Sequence, residues 1–238
     1  MLNVFIIIIK TLLFYDKEFS FDRINLKYNP KYLKKNGLIH YWSFNSHIKD
    51  EIGQAHLFNG TKARFTFDRF NRPVSALSLR DGYYQIPPGN YFKTGEFSIL
   101  AWVRPRSYAY FSRIVEFGNE QNNNIILMLS QTNTGQPDFG IYEGGFKYDI
   151  RGRNLTLDEW NHVAVTFGSQ VSIYVDKVLQ TSVSNTISFS NVTRYLNFIG
   201  KSNSPGNANA DADIDELKLF DRVLNQAEIN FEVNNDIY

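Results

Sequence analysis

The chain predicts an all-β fold, an antiparallel β-sandwich with one short C-terminal helix. The first observation is a pair of runs. Val163, Val165 and Phe167 alternate with Ala164 and Thr166, and Val171, Ile173 and Val175 alternate with Ser172 and Tyr174. A period of two belongs to a strand with one apolar side. The second is Gly168-Ser169 between the runs, a hairpin connection in which the glycine is free to take positive φ. The third is size: 238 residues, 16% aromatic with 20 Phe and 14 Tyr, are enough to bury one sizeable core without a second domain.

Taken in order, residues 1–36 read as an N-terminal extension and residues 37–238 as the domain. Met1–Tyr15 is apolar but shorter than the roughly 20 residues of a membrane span. No basic residue precedes the Val4–Ile9 run, Lys10 interrupts it, and no small-residue cleavage site follows. A signal peptide, a remnant of a longer chain and an extra strand all stay open. Asp22–Lys35 is polar and without period. From Gly37 the pattern changes: Leu38, His40, Trp42 and Phe44 alternate with Ile39, Tyr41 and Ser43 as a strand. Phe97–Pro105 is the next strong strand, closed by a proline that cannot donate to a ladder. Shorter candidates follow at Arg113–Phe117, Ile125–Gln131, Asp138–Glu143 and Phe146–Arg151. Asn225-Gln-Ala-Glu228 has the spacing of a capping box and opens a short helix.

Charge and composition exclude several classes. Lys and Arg number 25 against 24 Asp and Glu, a net charge of +1, without the concentrated positive charge that nucleic acid needs. There is no cysteine, hence no disulfide, zinc thiolate or cysteine nucleophile. His40, His47, His56 and His162 have no metal-ligand spacing, and no phosphate-binding or serine-hydrolase motif occurs.

Trp160-Asn-His-Val-Ala-Val-Thr-Phe167 with Tyr174-Val-Asp176 resembles the laminin G-like, concanavalin A-like jelly-roll family, whose relatives include the pentraxins. Further anchors follow in the family's order from about Leu38 to Phe231. They are Trp42-Ser-Phe-Asn45, Asp50-Glu-Ile-Gly53, Ala76–Pro87 read as a hairpin turning at Asp81-Gly82, Phe97–Pro105, Phe198-Ile-Gly200, Ile214–Phe220 and Arg222 to Ile229. The resemblance implies a jelly roll and a non-catalytic module that recognises glycans or extracellular proteins in an extracellular setting. Two alternatives remain: an adhesive or structural module of a larger protein without a small ligand, and a divergent glycosidase.

A glycosidase needs two carboxyl groups facing one another roughly 5 to 9 Å apart. Glu116 and Glu120 have the wrong spacing for the related glucanase pattern. Asp211, Asp213 and Asp215 share one side of a strand, but the family has no catalytic residues there, so no catalytic residue is expected. Gly200-Lys-Ser-Asn-Ser204 lacks the carboxylates of a pentraxin-type calcium site. The resemblance implies a structural calcium instead, with Asp215 as ligand and Asp50 and Asp81 as the next candidates by position. Ligand contacts are expected on loops, where aromatic rings stack on sugars and polar groups orient hydroxyls: Tyr108, Tyr110, Asn123, Tyr142, Tyr148 and Arg151.

Overall fold

The computed structural model describes residues 36–119, 123–187 and 192–234; the lead-in Met1–Lys35 lies outside the described residues. Among the described residues the order is β1 (Leu38–Trp42), β2 (Phe58–Thr66), β3 (Ala76–Ile86), β4 (Phe97–Pro105), β5 (Ser112–Gly118), β6 (Asn123–Ser130), β7 (Asp138–Glu143), β8 (Phe146–Arg151), β9 (Asn161–Phe167), β10 (Gln170–Val175), β11 (Val178–Ser184), β12 (Leu196–Ile199), β13 (Ala210–Phe220) and α1 (Gln226–Asn234). The strands pair in the order β11-β10-β9-β4-β13-β3-β12-β5-β6-β7-β8, with β1 added on β13 and β2 on β3. Every pairing is antiparallel. The two ends of this path meet. Thr181 Oγ1 donates to the Arg151 carbonyl at 2.8 Å, joining β11 to β8, and the Tyr148 hydroxyl donates to Asn185 Oδ1 at 2.5 Å. The sheet thereby folds over itself into the expected sandwich.

The core lies between the two halves. Leu77, Leu79, Ile99, Val103, Val165, Phe167, Ile173 and Leu127 are each 1% exposed or less. Phe97 stacks on Phe167 with ring centroids 5.1 Å apart, and Phe92 meets Phe97 edge-on at 4.7 Å. A smaller cluster, including Leu38, Tyr41, Leu100, Ala164, Tyr174, Phe220 and Ile229, sits under α1 on the outer side of β4, β9 and β10. The capping box forms as read: Glu228 N donates to Asn225 Oδ1 at 3.0 Å, and Asn225 N to Glu228 Oε2 at 2.9 Å. Lys218 Nζ bridges Glu216 and Glu232 at 3.1 and 2.9 Å and ties the helix to β13.

Two local expectations are corrected. Asp81-Gly82 is no hairpin turn. β3 runs straight through it, with Asp81 at φ 54° opposite a register shift in β13, so the pair is a bulge that keeps the strand going. Glycine is required at 82 because a Cβ there would stand 2.4 Å from the Lys62 carbonyl of β2. Gly168 does close the β9–β10 hairpin, but it is not among the positive-φ glycines. A Cβ at Gly168 would lie 2.4 Å from Val223 Cγ2, so close approach is what calls for glycine there.

Candidate ligand-binding face

Alternation along β5–β8 sends every second side chain away from the core. Cross-strand register sorts the outward ones into rows: Gly118–Asn124–Tyr142, then Glu116–Ile126–Gly140–Asp149, then Arg113–Met128–Asp138–Arg151. Arg113 and Glu116 share this face although they are three residues apart, because the register shifts between Arg113 and Val115 and leaves Ile114 as the extra residue of a bulge. The last row crosses four strands, about 14 Å at the usual interstrand spacing.

At the β5 end stands a buried ion pair, Arg113 Nε to Glu116 Oε2 at 2.7 Å. Arg113 continues to Ser202 Oγ at 3.1 Å and to the Phe111 carbonyl at 2.6 Å. Glu116 Oε1 accepts from Asn203 N at 3.3 Å, and Ser202 Oγ accepts from Asn207 Nδ2 at 3.0 Å. The Ala208 N–H donates to the Tyr110 carbonyl at 3.0 Å. These bonds hold the 106–111 and 200–209 loops against the face. Their outermost piece is Tyr110, 49% exposed and edge-to-face with Phe111 at 4.6 Å.

At the β8 end, Arg151 Nε donates to Asp149 Oδ1 at 2.9 Å and to Asp138 Oδ2 at 3.1 Å. Asp149 and Arg151 are half-exposed, whereas Asp138 is buried. Burial first, then the neighbouring Asp149, pushes Asp138 up to about 8 against the pull of Arg151. Asp149 goes the other way, lowered chiefly by its hydrogen bond with Asp138. The open edge shows a guanidinium, a carboxylate and the Gln131 amide, 3.4 Å from Asp149.

The residues singled out from sequence divide accordingly. Tyr110, Tyr142 and Arg151 lie on or beside this face. Tyr108 is half-buried: its hydroxyl donates to the Leu155 carbonyl at 2.5 Å, and its ring covers Gly135. Asn123 accepts from Arg194 Nη2 at 3.0 Å at the start of β6. Tyr148 is corrected to a core residue, since it alternates onto the inner side and packs on Phe167. Sequence reading missed Arg113, Glu116, Asp138, Asp149 and Ser202. For the first two, the bulge hides the shared face.

The expected calcium ligands do not come together, and each already has a partner from the chain itself. Asp50 Oδ1 accepts from the N–H groups of Tyr41, Ile52 and Gly53, and Oδ2 from Ala55 N and His40 Nδ1, all within 3.1 Å. Burial works to raise its pKa, but His40 and the Gly53 and Tyr41 N–H groups outweigh that and hold it at about 2. Asp81 pairs with exposed Lys62 at 2.7 Å. Asp215 is enclosed, with Arg69 Nη1 at 2.9 Å, and that guanidinium lies over the Trp102 ring at 4.4 Å. The place of a cation at Asp215 is taken by the chain's own arginine, so the donor set there does not fit calcium. Among the described residues no group of three or more His, Asp or Glu is placed to hold a metal ion.

Arginine answers the whole acidic row of β13. Asp211 meets Arg106 Nε at 3.0 Å. Asp213 takes Arg104 Nη2 at 2.5 Å and also Arg106. Neighbouring His162 is buried against Trp102, 5.2 Å between rings, and burial foremost pushes it down to about 3, keeping it neutral. A carboxylate row clamped by guanidinium groups is a structural ladder.

The strand order and pairing are those of a jelly-roll sandwich. Residues 79–230 match the family model for the concanavalin A-like lectin/glucanases superfamily, and the chain belongs to that superfamily. No curated protein matches it by sequence. Among solved structures it is similar to domain 4 of AbnA, a GH43 extracellular arabinanase from Geobacillus stearothermophilus, in complex with arabinotriose. The TM-score is 0.65 at 18% identity, over 82% of this chain and 97% of that one. It is also similar to the binding domain of Paraclostridial Mosquitocidal Protein 1 (TM-score 0.63, 17% identity, 83% of this chain and 52% of that one). A third is Trypanosoma rangeli sialidase in complex with sialic acid (TM-score 0.61, 19% identity, 84% and 33%). The chain thus spans about half of the toxin domain and a third of the sialidase. At these identities the likeness is one of fold.

Proposed function

We propose that this chain is a non-catalytic, extracellular glycan-recognition module that binds through the outer face of β5–β8. The observation that carries the reading is exposed Tyr110 against Phe111 at one end of this face and half-exposed Asp149 and Arg151 at the other, joined through buried Arg113, Met128 and Asp138. An exposed ring can stack on a sugar, and a guanidinium, a carboxylate and an amide can orient its hydroxyls. The likeness to a domain solved with arabinotriose supports the same reading. A non-catalytic role is supported by the carboxyl groups themselves. Glu116 is enclosed by Arg113 and Asn203, and Asp138 and Asp149 both meet the one guanidinium of Arg151 instead of facing across a gap. Calcium has no part in this reading.

A glycan array followed by titration of the strongest hit tests it. Tyr110→Ala should weaken binding about tenfold with an unchanged Tm, and Arg151→Ala should weaken it about tenfold with a lowered Tm, because buried Asp138 loses its partner. An array without hits favours a second reading, an adhesive module. Phe67, Phe70 and Val74, all more than half exposed on the turn after β2, support that alternative. Release of shortened oligosaccharide would instead establish a glycosidase.

A further inference from the structure

The outer face of β2 and β3 carries a chemistry that the β5–β8 face does not use. Leu77 and Leu79 point into the core, so Ser78 and Arg80 point away from it. Register places Arg64 opposite Ser78, Ser78 opposite Asp213, and Asp213 opposite Arg104. In the neighbouring row Arg80 stands opposite Asp211. Lys62, Arg64, Arg80, Arg104 and Arg106 meet Asp81, Asp211 and Asp213 here, five cations against three carboxylates.

The pairing is uneven. Arg104 and Arg106 are committed to Asp213, and Arg106 also to Asp211 and to the Leu79 carbonyl. Arg80 reaches Asp211 only at 3.7 Å. The Lys62–Asp81 pair is exposed on both sides, and such pairs hold weakly in water. The Arg64 side chain has no hydrogen bond or ion pair among the described residues. These three loosely held cations, with Ala63, line one open hollow of about 330 Å³.

We propose that this hollow is a recognition site for an acidic saccharide, an oligosaccharide bearing uronate carboxylates. Arg64 and Arg80 supply planar forks that match a carboxylate, and Lys62 can leave Asp81 for a second one. The hollow is open, so an extended chain can lie across all three cations. No aromatic ring lines the hollow, so nothing there stacks a nucleobase, and three cations fall short of the phosphate contacts typical of nucleic-acid binding. The site is separate from the β5–β8 face and stands or falls independently of it.

The test is titration of the whole chain with trigalacturonate, with the same trisaccharide methyl-esterified, and with a single-stranded oligonucleotide. Trigalacturonate should bind more weakly as salt is raised, and its methyl ester should not bind. Arg64→Gln and Arg80→Gln, both exposed and expected to keep the wild-type Tm, should each weaken trigalacturonate about tenfold, the loss of one charge-assisted contact. Tyr110→Ala and Arg151→Ala should leave it unchanged. Equal binding of acid and ester, no binding of the acid, insensitivity to both arginine changes, or tighter binding of the oligonucleotide would each overturn the proposal.

Discussion

Asp50 gathers four backbone N–H groups and His40 around one buried carboxylate, and so fixes the turn after β1 without a metal. Its folded pKa, about 2, lies below the unfolded value. The stability it contributes is therefore present above about pH 4 and lost as pH falls through 2. Asp50→Asn removes the charge and turns an amide toward donors; we expect a cost of about 2 to 4 kcal/mol at pH 7, read by denaturant unfolding. Asp138 works in the opposite sense. Its folded pKa of about 8 stands above the unfolded one, so the folded state holds a proton that the unfolded state has released. Its contribution is present below about pH 4 and lost as pH rises toward 8. Asp138→Asn keeps shape without the ionisation. We expect the variant to gain on the wild type by several degrees of Tm between pH 5 and pH 8, and a constant difference across that range would refute the raised pKa of Asp138.

Elements were legible where the pattern was clean. The β9–β10 hairpin, Phe97–Pro105, Asp138–Glu143, Phe146–Arg151 and the capping box read directly from alternation, proline and spacing. β2 and β11 were not legible, because both are edge strands open to solvent, so neither shows an apolar side. Bulges hid the rest. One at Ile114 brings Arg113 and Glu116 to one face, and one at Asp81 makes a strand look like a hairpin. The tryptophans show the same limit. Trp42 is in the core with Nε1 donating to the Ala55 carbonyl at 2.8 Å. Trp102 and Trp160 lie half-buried on the outer side under Arg69 and Arg104. The capping box offers an element-scale check: Asn225→Ala removes the acceptor for Glu228 N and should cost about 1 kcal/mol, without altering glycan binding on the distant β5–β8 face.

Across the whole molecule, charge is settled by arginine. Arg69, Arg104, Arg106, Arg113 and Arg151 each hold an acidic residue of a strand, and the family resemblance alone does not reveal this, since Arg69, Arg104 and Arg106 lie more than 100 residues from their partners. The consequence is sharpest at Asp215. Burial first, then neighbouring Glu216, raises its pKa, and Arg69 opposes the rise. Removing Arg69 leaves a buried carboxylate uncompensated, so Arg69→Met should cost about 3 to 5 kcal/mol at pH 7. The raised folded pKa means that this loss grows as pH rises and shrinks in acid, where Asp215 takes up a proton. Chelator should leave the wild-type Tm unchanged, because a ligand that binds only the folded state must raise Tm by mass action and its removal must lower it. A wild type that melts earlier in chelator and later in calcium would show an ion held elsewhere in the chain. An Arg69→Met variant as stable as the wild type at pH 7 would show that the guanidinium is dispensable at Asp215.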